Sequence, residues 1–393
     1  MPCPLLNGST VVQQPIQYAQ LTGRYVEAAL EFIQRAESGK TPFFLYLAFG
    51  HTHAWNFASE QYWNKSDRGH YGDALLEMDA ALANVTDILR PRGSEISGST
   101  LVFWTSDNGA IRRFSDISKS HPSLLSCWLS NTRLNSLLSV HWAGAAWPHR
   151  FEHAGSTGPF RCGKGTAWDG GVRVPAIAWW PGVIKPATVS MAPLSSLDIF
   201  PTFISLASAT TTVSAGSTAG SVLDSAINVL DGLDLSTFIL SSGAASSLPG
   251  GGDAYSRTRS LFWYYADQLA AARVGRYKVH WLHQGWGRSW IPFPECGPEN
   301  ATRLATPELY AIERDPSERF PIDPGTDEWK DAMAMVMAAV DAQKRSLAVV
   351  GAVAPPELDA EVNQSAMLCC AGHSPEPPFD MCKCNNMSVV AAK

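Results

Sequence analysis

The sequence predicts an α/β protein in which helices flank a mixed sheet, with a smaller antiparallel sheet and a helix towards the C-terminal end. Short apolar runs typical of buried strands alternate with segments of helical periodicity in the first half of the chain. Polar residues gather just past the ends of two of these runs, which is where open α/β sheets place their ligands. Closely spaced apolar segments after residue 260 indicate an antiparallel meander.

In the first half, the elements alternate in type. Apolar residues recur at helical spacing over 18–37 and again over 70–90, which predicts two amphipathic helices. The unbroken apolar runs at 42–49 and 100–105 predict buried strands. Because strand, helix and strand follow one another, the pattern favours an open sheet covered by helices.

The second half predicts one more strand and helix, at 174–180 and 194–207, and then a separate subdomain. Ser, Thr, Ala and Gly dominate 208–222 and 241–253, so residues 208–259 are predicted to form a flexible linker region. The remainder is predicted to contain strands at 260–265, 270–274 and 277–282, a helix at 328–346 and a cysteine-rich tail.

Length and composition limit the classes of function. The 393 residues contain 45% hydrophobic and 17% charged residues, so a packed core is expected and wholesale disorder is not. A net charge of −6 and a pI near 5.9 indicate no broad basic face, which argues against nucleic acid as a partner. Gly, Pro or charge interrupts each apolar stretch before the roughly 18 residues that a membrane span needs.

Sequons and cysteines indicate the secretory pathway. The first residues show neither the basic nor the apolar region of a signal peptide, so we expect the front of the protein to be missing from this chain. The terminal CC…C-x-C pattern predicts paired disulfides, with a zinc knuckle as the alternative. The predicted glycosylation sites are Asn7, Asn64, Asn84, Asn300, Asn363 and Asn386.

Asp107 and Asn108 follow the predicted strand at 100–105 and form the first candidate ligand site. They offer hard oxygen ligands side by side, and Gly109 permits a sharp turn behind them. Such ligands suit Ca²⁺ or Mg²⁺, but calcium takes about six or more oxygens, so the pair supplies only part of a site. The alternative is a plain Asp-Asn-Gly turn.

His51, His53 and Lys164 are the other candidates for chemistry. The two histidines alternate in an extended segment, so both can point to the same side; they could bind zinc, share acid/base duty or be hydrogen-bonded core residues. Lys164 stands between two glycines and could present its ammonium to an anion, although the spacing is not that of a P-loop. The alternative for Lys164 is an exposed loop lysine.

Several motifs occur together in a fixed order: PFFLY at 42–46, HTH at 51–53, GDALLEMDAA at 72–81, TSDNG at 105–109, RCGKGTAWDGGVRVPA at 161–176, SSLDIFPT at 195–202 and GRYKVH at 275–280. With the terminal cysteine pattern, this order resembles the sulfatase family, and within it the arylsulfatases. The similarity covers most of residues 4–110 and 151–384.

The resemblance implies an alkaline-phosphatase-like fold with a large mixed sheet, and hydrolysis of sulfate esters by a formylglycine made from a cysteine, beside a calcium ion. By motif, Asp107 and Asn108 would be calcium ligands, and Lys164 would bind the sulfate and the leaving oxygen. His53 would assist departure of the alcohol, with His51 in a supporting position. These roles agree with the chemistry, because cations neutralise charge on the sulfuryl oxygens and an imidazole can protonate a poor leaving group.

The same resemblance assigns further positions. His280, in the GRYKVH motif, is expected to contact the substrate, a small aryl sulfate or a sulfated glycolipid. The expected organisation is a partial catalytic domain over 1–207, the linker region 208–259 and a C-terminal subdomain over 260–393, with a homo-oligomer left open. The disulfide pairs implied by the family are Cys162–Cys296, Cys369–Cys382 and Cys370–Cys384.

Parts of the family pattern are absent from the sequence. No cysteine stands in the C-x-P-S-R or C-x-A-x-R motif of the family's nucleophile, and no Asp-Asp pair is present to complete the calcium site. Residues 111–149 have no family counterpart and are expected to be a translated intron or a lineage-specific loop. We therefore expect the chain to be inactive as given. The alternatives are a catalytically dead secreted binding protein, or a phosphatase or phosphodiesterase of the same superfold.

Overall fold

The computed structural model describes residues 4–53, 56–90, 96–110, 155–210, 230–265, 267–283 and 302–350. The chain divides into two compact units, the first formed by 1–88, 113–154 and 354–393 and the second by 89–112 and 155–353. The division at residue 88 falls inside the segment that the sequence assigned to one catalytic domain, 1–207. The predicted insert at 111–149, the cysteine-rich tail and the sequons at Asn300, Asn363 and Asn386 lie outside the described residues.

The first unit contains two long helices that confirm the periodicity of the sequence. α1 spans Tyr18–Gly39 and α2 spans Gly69–Ile88, and the two helices contact each other. A hairpin formed by β1 (Leu5–Asn7) and β2 (Thr10–Gln13) precedes them. α1 buries residues at three- and four-residue spacing, as a helix with one core-facing side must; they are Thr22, Val26, Ala29, Ile33 and Ala36, and Leu21 beside Thr22 is also buried.

The strand predicted at 42–49 is not present as a strand, because residues 41–50 form no ladder with any other described segment. Their side chains alternate between exposed and half-buried positions, which is the pattern of an extended chain. Phe44 and Tyr46 are 70% and 82% exposed. The prediction of a buried strand is therefore wrong, because the segment is neither buried nor paired with another described segment. A strand requires a hydrogen-bonded neighbour, which the apolar run itself does not specify.

The second unit begins with a two-stranded antiparallel sheet. β3 (Val102–Thr105) pairs with β4 (Ala176–Trp179), so that Val102 lies opposite Trp179 and Thr105 opposite Ala176. Both strands lie within segments predicted from the sequence. The ladder joins regions that are far apart in the chain: next to it, the Thr105 hydroxyl donates to the Pro175 carbonyl, 70 positions later. This pairing places the residues after β3 beside those before β4.

The C-terminal part forms a four-stranded antiparallel sheet in the order β5-β6-β7-β8, backed by a helix. Three strands confirm the predicted meander: β5 (Ser260–Tyr265), β6 (Gln268–Val274) and β7 (Tyr277–His283). The helix, α7 (Asp327–Val350), packs on β6 and β7 and also confirms its prediction. The fourth strand, β8 (Thr302–Ala311), was not predicted, because it is polar and contains a proline.

The described part of the predicted linker, 230–259, is folded rather than flexible, which corrects that prediction. It contains α5 (Ser236–Leu240) and α6 (Gly252–Thr258). Its Ser- and Gly-rich composition conceals four well-spaced apolar residues that form one buried cluster: Leu235, Phe238, Leu248 and Tyr255. Asp198, just before α4 (Ile199–Thr210), fixes this region by accepting from the Leu233 backbone N–H at 2.8 Å and from the Arg259 guanidinium at 2.7 Å.

Candidate active site

The turn after β3, residues 106–110, carries the first two predicted site residues. Asp107 is exposed and Asn108 is half-buried. The Asp107 Oδ1 atom accepts the Asn108 backbone N–H at 2.9 Å, and the Ser106 hydroxyl donates to the Asn108 carbonyl at 3.0 Å. These bonds hold the turn in shape without burying the Asp107 carboxylate. The turn and the ligand interpretations of this segment are therefore compatible.

Lys164 lies in a loop, residues 161–168, that precedes the short helix α3 (Asp169–Val172) and is called the Lys164 loop below. The turn after β3 meets this region through two backbone hydrogen bonds. Gly109 N–H donates to the Gly171 carbonyl at 2.9 Å, and Lys164 N–H donates to the Ala110 carbonyl at 3.0 Å. The structure thus brings the Asp107–Asn108 turn and the Lys164 loop together, although 111–149 separates them in the sequence.

Glycine is required for this close approach. A Cβ atom at Gly109 would lie 2.0 Å from the Gly170 carbonyl oxygen, and one at Gly170 would lie 2.3 Å from the carbonyl oxygens of Arg161 and Cys162. Carbon and oxygen atoms that are not bonded to each other stay more than about 3 Å apart. No residue larger than glycine therefore fits at either position without moving the backbone. Gly109 and the G-G motif at 170–171 therefore have a packing function.

A buried group of charged residues lies directly behind the Lys164 loop. We call it the buried charge cluster, and its members are Asp169, Lys278, His280 and Glu318. The Lys278 ammonium contacts Asp169 Oδ1 at 2.7 Å and Glu318 Oε1 at 3.0 Å. His280 Nε2 donates to Glu318 Oε1 at 2.7 Å. Opposite charges at these distances offset the cost of burying each ion.

The environment shifts the pKa values of two cluster members. Burial would raise the pKa of Glu318, but Lys278 and His280 outweigh it and hold that pKa at about 2. For His280, burial lowers the pKa to about 4, although the bond to Glu318 opposes this change. Glu318 is therefore a carboxylate and His280 a neutral imidazole near neutral pH.

His280 was predicted to contact the substrate, and the structure places it in the interior. It has no exposed surface, and its ring stacks on Trp168 with 3.9 Å between the ring centroids. The Arg161 guanidinium also lies over the Trp168 ring, 3.8 Å from its centroid. This placement favours a supporting role for His280 behind the Lys164 loop over direct contact with a substrate, because a group without exposed surface cannot touch a ligand as placed.

The predicted pair His51 and His53 belongs to the first unit. His51 is fully buried, is hydrogen-bonded to the Thr22 hydroxyl, and lies 3.5 Å from Glu77. His53 is exposed. The Asn56 amide donates to the carbonyl oxygens of both histidines, at 3.0 Å and 3.3 Å. His51 is therefore a hydrogen-bonded core residue, as one of the alternatives for this pair expected, and its burial agrees with a supporting position. His53 remains exposed.

Asp73, within the GDALLEMDAA motif, is a buried carboxylate that was not predicted as a site residue. It is fully buried on α2, and its carboxylate accepts the backbone N–H groups of Asn64, Lys65 and Ser66 at 2.8–2.9 Å. Burial opposes ionisation, but these three bonds outweigh it and lower the pKa of Asp73. An acidic residue at an apolar face position of a helix is the signal that could have identified it.

Two of the described residues fit the donor type of the predicted calcium site. Asp107 and Asn108 fit a hard cation in donor type, because they present carboxylate and amide oxygens on a surface turn. Within the described ranges, no group of three or more His, Cys, Asp and Glu residues is arranged to hold a metal ion. Two side chains cannot fill the six or so positions that calcium prefers.

The cysteines and sequons that predicted the secretory pathway lie partly within the described residues. Cys162 is disulfide-bonded, but Cys296 lies outside the described residues, so their pairing stays a prediction. The three sequon asparagines within the described residues, Asn7, Asn64 and Asn84, are all exposed. None of the helices in the described ranges has the length and apolar character needed to cross a membrane.

Comparison with known families gives the class of the protein. The sulfatase family model matches residues 5–209, and the model for the C-terminal region of aryl-sulfatase matches 256–384. The chain therefore belongs to the sulfatase family, as its motifs predicted. The α/β fold class is confirmed with it, including the C-terminal antiparallel sheet and helix.

Among curated relatives, the chain is 34% identical to mouse N-acetylgalactosamine-6-sulfatase over 84% of this chain and 54% of the relative. It is 30% identical to human arylsulfatase A over 97% of this chain and 64% of the relative. The chain thus spans between about half and two thirds of the length of these relatives. The two sequence identities, 34% and 30%, differ little, so they do not assign the chain to the arylsulfatase type in particular.

Solved structures give the same fold. The PsFucS1 sulfatase from Pseudoalteromonas sp. matches with a TM-score of 0.59 at 21% identity, covering 85% of this chain and 56% of that one. The structure of Ps i-CgsB in complex with k-i-k-neocarrahexaose matches with a TM-score of 0.53 at 19% identity, covering 88% of this chain and 58% of that one.

Proposed function

We propose that this chain carries the Lys164 part of a sulfuric ester hydrolase site and binds the sulfuryl group of a sulfate ester there. The observation that carries the proposal is the hydrogen bond from Lys164 N–H to the Ala110 carbonyl, which joins the two loops that bear the predicted ligands. Membership of the sulfatase family supports the same chemistry. A sulfate monoester is an anion, and an ammonium on a glycine-flanked loop suits its oxygens.

Each predicted residue has a proposed role. The Lys164 ammonium binds the sulfate and the oxygen of the leaving group. For His53, which is exposed in the first unit, a role in protonating the alcohol rests on the family resemblance alone. Asp107 and Asn108 would hold a calcium ion as part of its ligand set. When bound, such a cation would neutralise negative charge on the sulfuryl oxygens.

The nucleophile sets a limit on what these 393 residues do by themselves. In the family resemblance, a formylglycine made from a cysteine attacks the ester, and none of the eight cysteines here stands in its motif. Nucleophilic catalysis contributes nothing without the nucleophile. We therefore propose that the 393-residue chain binds sulfate esters without turning them over.

The proposed substrates are sulfated sugars, aryl sulfates or sulfated glycolipids. The names of the relatives, N-acetylgalactosamine-6-sulfatase and arylsulfatase A, support a sulfated carbohydrate or an aryl sulfate. We also propose that the protein passes through the secretory pathway to a lysosomal or extracellular location. Three exposed sequons and a disulfide-bonded Cys162 support this location.

A non-catalytic binding protein is the second candidate, and the missing nucleophile motif is the observation that favours it. A phosphatase or phosphodiesterase of the same superfold is less well supported. Enzymes of that kind need clustered metal ligands, and the described ranges contain no such cluster. The phosphatase candidate differs from the main proposal in preferring phosphate to sulfate. The non-catalytic candidate shares with it the expectation that these 393 residues show no turnover.

Calorimetric titration of the 393-residue chain with 4-methylumbelliferyl sulfate and with the matching phosphate ester tests the proposal. We expect the sulfate ester to bind more tightly than the phosphate ester. Lys164→Ala should weaken sulfate-ester binding about tenfold, the change that corresponds to 1.4 kcal/mol. Lys185→Ala is the matched control, since Lys185 is an exposed lysine elsewhere in the second unit. Equal affinity of the wild type and Lys164→Ala would contradict the proposal.

Release of the fluorescent alcohol from the same sulfate ester measures turnover. The proposal expects no release above background from the wild-type chain. Turnover that disappears in Lys164→Ala would contradict the inactivity of these 393 residues and would support a complete hydrolase. Tighter binding of the phosphate ester would favour the phosphatase candidate.

A further inference from the structure

We propose that Glu318 is a positioning residue for the Lys164 loop and, through it, for sulfate binding. Glu318 lies 157 positions after Arg161 in the chain, yet it bonds to both ends of the loop. The inference rests on the function proposed for Lys164. It concerns a residue that no sequence motif singled out.

The contacts of Glu318 are divided between the two ends of the loop. Its carboxylate Oε2 accepts the backbone N–H of Asp169 at 2.6 Å, immediately after the loop. Its backbone carbonyl accepts from the Arg161 guanidinium at 3.0 Å, at the start of the loop. Glu318 thus restrains Arg161, the first residue of the loop, and Asp169, which follows its last residue.

The base of the loop closes between the same two points. Gly170 N–H donates to the Arg161 carbonyl at 2.9 Å, one residue beyond Asp169. Within the loop, the Thr166 hydroxyl donates to the Gly163 carbonyl at 2.9 Å. A loop that is closed at its base and bonded internally moves as one piece, so restraint at its two ends sets the position of Lys164.

Glu318 can exert this restraint because it is itself held firmly. It has no exposed surface, and Lys278 and His280 bind its Oε1 atom, the carboxylate oxygen that does not accept the Asp169 N–H. Its backbone has a φ of +51°, in the left-handed region that a non-glycine residue rarely adopts. A backbone conformation of this kind persists where the surrounding structure requires it, which is common near functional sites.

The consequence concerns the meeting of the two loops. Lys164 N–H reaches the Ala110 carbonyl only while the Lys164 loop keeps its place. If the Glu318 carboxylate loses its charge, its bond to the Asp169 N–H weakens, and Lys278 keeps only Asp169 of its two carboxylate partners. The loop should then sample other positions, and Lys164 should bind a sulfate less well while its own ammonium is unchanged.

The test uses the 393-residue chain with its lysines labelled as ¹³C-dimethyl-lysine for NMR, and Lys164→Arg identifies the Lys164 signal by its loss. We expect Glu318→Gln to shift or broaden the Lys164 signal without ligand and to weaken binding of 4-methylumbelliferyl sulfate about tenfold. Glu313→Gln is the matched control, because Glu313 is exposed on the same segment after β8. It should change neither quantity.

A folded Glu318→Gln protein with an unchanged Lys164 signal and unchanged affinity would overturn the inference. If Glu318→Gln loses its near-ultraviolet circular dichroism, Arg161→Lys decides instead. It keeps the positive charge and removes the guanidinium that donates to the Glu318 carbonyl and lies over Trp168. A shift of the Lys164 signal in that variant supports positioning, and no shift overturns it. If the wild-type chain binds no sulfate ester, the proposed function fails, but the signal measured without ligand still tests the positioning by Glu318.

Discussion

The backbone N–H of Lys164 donates to the carbonyl oxygen of Ala110 at 3.0 Å. Ala110 lies three positions after Asp107, so this bond joins the turn that bears the predicted metal ligands to the loop that bears the predicted sulfate ligand. The bond connects backbones, so it depends on how closely the two loops approach rather than on the side chain of Lys164. Glycines on both sides make that approach possible.

Gly109→Ala should destabilise the protein and weaken sulfate-ester binding. The new Cβ would lie 2.0 Å from the Gly170 carbonyl oxygen, so the backbone would have to move, at a cost of about 2–3 kcal/mol. Urea unfolding measures the loss. Gly98→Ala is the control, since nothing lies within 4 Å of its Cβ position. Equal stability of the two variants would contradict the packing argument.

Lys278→Met should be strongly destabilising, because it leaves Glu318 charged and buried without its cation. The expected loss of unfolding free energy is about 3–5 kcal/mol. Adding Glu318→Gln to Lys278→Met should recover part of the loss, and a double-mutant cycle in denaturant measures that coupling. Lys330→Met removes an exposed ion pair with Asp327 and should leave the stability nearly unchanged. Strict additivity of the two cluster substitutions would contradict the coupling.

The stability of the second unit should fall in acid in two stages. His280 has a pKa of about 4 when folded, below its ordinary value of 6.5, so the unfolded chain binds more protons between these values. Stability is therefore full above pH 6.5 and is lost as the pH falls towards 4. Glu318, with its pKa lowered from 4.5 to about 2, adds a further loss as the pH falls from 4.5 towards 2.

Urea midpoints measured from pH 7.5 down to pH 4 test the first stage. His280→Gln cannot titrate, so the difference between its stability and that of the wild type should change with pH over this range. The wild type should lose more stability than the variant as the pH falls. Parallel curves for the two proteins would show that His280 is not held neutral in the folded state.

Asp73→Asn should loosen the segment at 64–66, because an amide replaces a carboxylate that accepts three backbone N–H groups. Hydrogen bonds to a charged group contribute about 1.5–3 kcal/mol each, and a comparable net loss of unfolding free energy is expected. Hydrogen exchange at the three amides should accelerate. Asp79→Asn, at an exposed position of the same helix, is the control and should have little effect. Unchanged exchange in Asp73→Asn would contradict this role.

Calcium should bind the 393-residue chain weakly, because the described residues offer two side-chain ligands where the ion prefers about six or more. Calorimetric titration with calcium chloride should give a dissociation constant well above the micromolar range. Asp107→Asn should weaken it further, whereas Asp327→Asn, at an exposed position on α7, should not. Micromolar binding that Asp107→Asn abolishes would show that the remaining ligands are present in the chain.

Several parts of the structure could be predicted because their signals are local. The spacing of Leu21, Ala29 and Ile33 predicts α1, since a helix repeats every 3.6 residues. The order of the TSDNG and RCGKGT motifs identified the family and the loops that meet. Residues 230–259 were mistaken for a linker because composition was given more weight than the spacing of Leu235, Phe238 and Tyr255.

Two features could be identified only from the tertiary structure. They are the buried charge cluster and the lack of a ladder between 41–50 and any other described segment. Glu318 contacts Asp169 and His280 across 149 and 38 positions of the chain, and no local pattern records such a pairing. Motif order indicated the family and the chemistry of Lys164, because residue types at fixed spacing are written in the chain itself. Burial and partner choice, which place His280 in the interior beside Glu318 where a substrate contact was expected, depend on segments that meet only after folding.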